Sequence, residues 1–119
     1  MQPIDSLVQR YLATFNETDA RKRRDLLEVL YDTRGGYTDP HASLVGCAAV
    51  DEFIGAIQHR YPGVVFTLAG KVDAHHDVAR FTWHAMASGV LEPVAIGFDV
   101  MVVDGERIRQ VYGFLDKSP

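Results

Sequence analysis

Apolar residues in the first part of the chain recur at helical spacing. Ile4, Leu7, Val8, Tyr11, Leu12 and Phe15 form one stripe of an amphipathic helix. Asn16-Glu17-Thr18-Asp19 interrupts it. Thr18 or Asp19 can cap a second helix carrying Leu26, Leu27, Val29 and Leu30, which the pattern ends before Gly35-Gly36. Tyr37-Thr38-Asp39-Pro40 is a short polar and aromatic segment in which Pro40 holds Asp39 extended. Ser43 to Gly46 reads as a short strand or turn. A third helix places Val50, Phe53, Ile54, Ile57 and Tyr61 on one face and stops at Pro62-Gly63.

After Gly63 the pattern changes to that of strands. Val64 to Ala69 is rich in β-formers, and Asp73 to Asp77 reads as a polar turn. Val78 to Ala87 alternates, with Phe81, Trp83 and Ala85 on one face and Arg80, Thr82, His84 and Met86 on the other. Val94 to Val103 follows, Asp104-Gly105 is a hairpin signal, and Ile108 to Leu115 closes the series. Helices followed by strands predict one α+β domain over residues 1–119. Its three N-terminal helices pack on a curved, mostly antiparallel sheet whose mouth leaves an apolar cavity.

Composition narrows the function classes. A net charge of −4 leaves no basic excess for phosphates, so no nucleic acid is expected as a partner. The run Arg21-Lys22-Arg23-Arg24, followed by Asp25 and Glu28, reads as a solvated helix face. The single cysteine, Cys47, precludes an internal disulfide and reads as a small core residue. No leader-like segment and no apolar run approaching the roughly 20 residues of a membrane span stand in the sequence, so the expected location is cytoplasmic, with no membrane partner.

Three polar residues stand at or beside positions where apolar ones are expected. Tyr11 lies on the buried stripe of the first helix, where a phenol either finds a hydrogen-bond partner or faces a pocket. Asp39 precedes a proline between two helices, as a turn residue or as a group presented to a cavity. Asp99 interrupts Gly97-Phe98-Asp99-Val100-Met101-Val102-Val103. It is either on the solvent face or buried with a raised pKa.

These segments carry a resemblance. Val8 to Asn16, with Tyr11, is similar to the first helix of bacterial ketosteroid isomerases. Tyr37-Thr38-Asp39-Pro40, followed by Val45-Gly46 and a helix, resembles the region of that family's general base. Phe98-Asp99-Val100, then Gly105 and Ile108 to Phe114, resembles the region of its protonated aspartic acid. The resemblance implies an NTF2-like (cystatin-like) cone of the SnoaL-like or ketosteroid isomerase-like group. It implies proton transfer beside a carbonyl through an enolate, without cofactor or metal. Asp39 would be the base, and Tyr11 and a neutral Asp99 would donate to the enolate oxygen. Phe15, Phe53, Trp83, His84, Met101 and Phe114 would contact a small apolar substrate, and a second copy of the chain would cover the outer sheet face. Two rivals share the fold. One is a cyclase or hydrolase using Asp99 with Arg80 or His84. The other is a ligand-binding or dimerisation module whose pocket is filled by Trp83, Phe66 and Phe114.

Three positions depart from the family pattern, one of them Trp83, which would narrow or floor the pocket if it faces inward. His41 adds a titratable group beside the expected base, and an inward Arg80 would lower the pKa of Asp99. His75-His76 reads as a solvated turn, because adjacent strand residues point to opposite faces and chelate poorly. His59 falls on the exposed side of the third helix. No phosphate loop, nucleophile elbow or HExxH pattern occurs.

Overall fold

The helices form where the apolar periodicity puts them. In a computed structural model that describes residues 3–119, α1 spans Pro3–Asn16, α2 Ala20–Leu30 and α3 Cys47–Arg60. All six apolar residues of the α1 stripe are buried. Asp19 caps α2, its side chain accepting from the Lys22 N–H at 3.0 Å.

The basic run is not solvated throughout. Arg23 is buried on the same stripe as Leu27 and Leu30, while Leu26 and Val29 face solvent. Its Nε donates to Asp51 at 2.7 Å, and Nη1 donates to Gln58 at 2.8 Å and to the Glu17 carbonyl at 3.2 Å. A guanidinium tolerates burial when its charge and donors are met in this way. It ties α2 to α3 and to the α1–α2 connection.

Six strands form one open mixed sheet. They are β1 (Tyr31–Thr38), β2 (Ser43–Val45), β3 (Val65–His75), β4 (Val78–Met86), β5 (Ala95–Asp104) and β6 (Arg107–Lys117), in the order β2-β1-β6-β5-β4-β3. Every neighbouring pair is antiparallel except β1 with β6. The three helices supply one side of a core whose other side is the inner sheet face, including Tyr31, Tyr37, Ala79, Phe81, Met101, Ile108 and Val111. This is the expected α+β arrangement.

Two boundaries differ from the expectation. Residues 31–34 are strand and not the end of the second helix. The helical stripe ends at Leu30, and Tyr31 is already extended at φ −93° and ψ 143°. Gly35 and Gly36 lie inside β1, where the Tyr31 ring and the Gln110 side chain leave no room for a Cβ. Likewise β3 runs to His75 through an irregularity between Ala69 and Asp73. Gly70, at φ +81°, makes that irregularity possible. Only His76 and Asp77 remain as the turn.

Alternation along the strands aims side chains. On β4, Phe81 and Ala85 are buried and Trp83 shares their face. On β5, Ala95, Gly97, Asp99, Met101 and Val103 all point inward and are buried. A register shift between Val102 and Val103 lets both Ile108 and Val111 of β6 face the core.

Candidate active site

Between the inner sheet face and helices α1 and α3 lies a cavity of about 520 Å³. Its wall is largely aromatic. Phe15 and Phe66 lie 5.4 Å apart by ring centroid, Phe66 and Trp83 5.5 Å, and Tyr37 and Phe53 5.1 Å. Tyr11, Asp39 and Asp99 all border this one space.

Asp99 sits at its closed end with 3% of its surface exposed. β5 alternation aims it inward, and the residue opposite it on β6 is Gly113. A Cβ at Gly113 would lie 3.1 Å from Asp99 Oδ1, 3.3 Å from Asp39 Cβ and 3.4 Å from the Tyr37 hydroxyl. The glycine therefore marks where the two acids and a phenol come together, and a side chain there would wedge between them. Trp83 Nε1 donates to Asp99 Oδ1 at 3.1 Å. The indole fits because Gly97 faces it: a Cβ at that position would overlap the ring.

Burial pushes the Asp99 carboxyl up to about 7 from an ordinary 3.8. The Trp83 hydrogen bond opposes the rise, the nearby Asp39 charge adds to it, and Tyr11 opposes it. At and below neutral pH the group therefore carries a proton for much of the time. The Tyr11 hydroxyl is buried, and it opposes the rise by hydrogen bonding toward Asp99. Burial, and then the charge of Asp99, holds this phenol well above its ordinary pKa. Tyr11 is thus a neutral donor facing the cavity.

Asp39 lies just past the end of β1 and does two jobs. Its Oδ1 accepts from the N–H groups of His41 at 2.7 Å and Ala42 at 2.9 Å, and its own N–H donates to the Ala42 carbonyl at 2.9 Å. These bonds make the turn that Asp-Pro predicts. Its Oδ2 accepts from the Tyr37 hydroxyl at 2.7 Å. Turn residue and cavity residue are one residue here.

The other expected contacts divide. Phe15, Phe53 and Trp83 line the cavity. Met101 does not: it is fully buried in the core on the Asp99 face of β5, beyond the cavity wall. His84 does not either, because strand alternation turns it to the outer face with Thr82 and Arg80. Phe114 borders the cavity, but its ring stacks on Phe98 at 4.9 Å, on the outer face. Arg80 is exposed and paired with Asp73 at 3.6 Å, so it leaves Asp99 alone. His41 stands at the rim. Among the described residues no cluster of histidine, cysteine or carboxylate side chains could hold a metal, and no helix is long and apolar enough to cross a membrane.

Sequence reasoning missed Tyr37, Tyr31 and Gly113. Tyr37 stood two residues before Asp39, a spacing that returns side chains to one face of an extended chain. Tyr31 is a buried phenol whose hydroxyl makes no hydrogen bond among the described residues. Burial raises its pKa first, and the charge of Asp99 raises it further. Gly113 had no signal of its own, because its meaning depends on which residue faces it across the ladder.

Comparison with known proteins agrees with this architecture. A crystal structure from Agrobacterium tumefaciens strain C58, provisionally described as an isomerase of the SnoaL-like family, is similar over 98% of this chain and 99% of its own. It is 34% identical, with a TM-score of 0.91. The chain belongs to the SnoaL-like family. More distant structures share the fold. One from Kribbella flavida, provisionally described as a ketosteroid isomerase, is 18% identical over 96% of this chain and 78% of its own, with a TM-score of 0.71. One from Jannaschia, provisionally described as a SnoaL-like polyketide cyclase, is 13% identical over 92% and 85%, also at 0.71. No protein-family model matches the sequence, and no curated protein matches it.

Proposed function

We propose that this protein moves a proton at a carbon beside a carbonyl in a small apolar compound. The observation that carries the reading is the meeting of Asp39, Asp99 and Tyr11 on one largely apolar cavity. Asp39 takes the proton from the carbon between the carbonyl and a β,γ double bond. The electrons of that C–H bond move into a dienolate, whose oxygen accepts hydrogen bonds from Tyr11 and protonated Asp99. Asp39 then returns the proton at the γ carbon, and the product is the conjugated ketone. A second copy of the chain on the outer sheet face, where Tyr112 and Phe114 are exposed, belongs to the same proposal. Sedimentation of wild type and Phe114→Glu tests it, with a dimer that dissociates in the variant as the expected result.

One observation favours a second reading. Three donors already occupy Asp39, whereas Asp99, near 7, sits at a value suited to general acid-base work. Asp99 would then move the proton and Asp39 would hold the turn. The test follows ultraviolet absorbance as a β,γ-unsaturated cyclic ketone becomes conjugated, with wild type, Asp39→Asn and Asp99→Asn side by side. In the first reading Asp39→Asn abolishes turnover, and the wild-type rate falls as pH rises through about 7, where Asp99 loses its proton. In the second, Asp99→Asn abolishes turnover and the rate rises through the same range. No turnover by the wild type on ketones of one to four rings refutes both.

A further inference from the structure

The cavity is acidic where its two carboxyl groups meet, apolar along its shaft, and basic at Arg60. Both carboxyl side chains that line it, Asp39 and Asp99, come together at Gly113. The middle is Leu12, Phe15, Phe53, Ile57 and Phe66. Arg60 lines the cavity from the last turn of α3, about 10 Å along the helix from Phe53, whose ring packs on Tyr37 beside Asp39; His41, the other basic side chain of the lining, belongs to the Asp39 turn. Arg60 Nε donates to the Tyr61 hydroxyl at 3.0 Å, and the guanidinium carbon lies 5.4 Å from the Tyr61 ring centroid. Tyr61 thus orients the fork, while Arg60 makes no ion pair with a carboxylate among the described residues. The contrast with Arg23, whose charge and donors are met within the fold, is direct. In a chain of net charge −4, an oriented but uncommitted guanidinium beside an apolar shaft selects for an anion.

We propose that the ligand of this cavity is an amphiphilic carbonyl compound with a carboxylate at the end remote from the reacting carbonyl, and that Arg60 binds that carboxylate. Resting on the proposed function, this orients the substrate. Its apolar body fills the shaft, its carbonyl meets Tyr11 and Asp99, and its anionic end stays at the solvent edge. Reversed entry would bring an anion against the Asp39 carboxylate and is disfavoured by like-charge repulsion. A neutral steroid-like ketone fits the shaft but leaves Arg60 unused. At about 520 Å³ the cavity falls within the range of sites that enclose drug-sized molecules, so one such ligand fills it.

The test needs no turnover, so it stands or falls apart from the proposed reaction. Two fluorescent probes share one aromatic body: 1-anilinonaphthalene-8-sulfonate carries an anion and N-phenyl-1-naphthylamine does not. Trp83, the sole tryptophan, lines the cavity, and energy transfer from it reports that each probe is bound. Wild type is expected to bind the anionic probe about fivefold more tightly than the neutral one, the scale of a solvent-edge charge pair. Arg60→Gln removes that preference, and Arg60→Lys restores part of it. Added salt weakens the anionic probe alone. Equal affinities in the wild type, a preference that survives Arg60→Gln, or failure to bind either probe overturns the proposal.

Discussion

Replacing Asp99 by asparagine should stabilise the protein, and more so as the pH rises. The side chain keeps its shape, and an amide oxygen can go on accepting from Trp83 Nε1. What changes is charge. In the folded protein burial lifts this carboxyl from 3.8 to about 7. The folded state therefore holds the proton more tightly than the unfolded chain does. Its stabilising contribution is fully present below the unfolded value near 3.8 and is lost as pH rises through about 7. A difference of about three pH units corresponds to about 4 kcal/mol. The stability difference between Asp99→Asn and wild type should thus move by about 3 kcal/mol in favour of asparagine between pH 4.5 and pH 8.5, since part of the full span lies below pH 4.5. Most of the movement should fall below pH 7. Urea unfolding followed by circular dichroism at five pH values measures it, and the difference between the proteins cancels the contribution of every other titrating group. Two curves that stay parallel within about 1 kcal/mol would show that Asp99 ionises in the fold as it does in water, and the donor role assigned to it would go with that result.

Other perturbations test other parts of the site. Tyr37→Phe removes the donor on Asp39 Oδ2 and should lower kcat for the ketone about tenfold, the scale of a hydrogen bond to a charged group, with KM nearly unchanged. Gly113→Ala places a methyl 3.1 Å from Asp99 Oδ1, so it should cut turnover at least tenfold while the circular dichroism spectrum stays that of the wild type. Arg23→Met strands the Asp51 carboxylate and should cost about 3 kcal/mol in urea unfolding, whereas Arg24→Met, whose pair with Glu28 is half-exposed, should cost less than about 0.5 kcal/mol.

Much of this arrangement is legible in the chain because it is periodic. The α1 stripe, the Asp19 cap and the Asp104-Gly105 hairpin each declare themselves within a dozen residues. Asp99 stands out because one charged residue interrupts an apolar strand. Residues whose meaning is set across the sheet did not show. Gly35 and Gly36 read as helix breakers, yet they are strand residues made necessary by Tyr31 and Gln110. Arg23 reads as one of four surface cations, and only the approach of Asp51 and Gln58 from α3 makes it a core residue. His84 and Trp83 are neighbours in sequence, so placing both in one cavity conflicts with strand geometry, which allows only one of them inside.

The single parallel pairing has a consequence for how the site comes into being. The strand that leads into Asp39 takes Gly36 to Gln110 and Thr38 to Tyr112, so its partner is made 74 residues later (110 − 36). Closing a chain segment of that length costs about 4 kcal/mol of entropy before any contact across it is gained. The hairpins β3–β4 and β5–β6 close short loops and have no such wait. Asp39 and Gly113 therefore meet late, after the aromatic wall has a sheet to lean on. A molecule that needs both would find nothing to hold in the nascent or refolding chain. It should leave the refolding rate untouched and slow only the unfolding one, a protector of finished molecules and not a template for new ones.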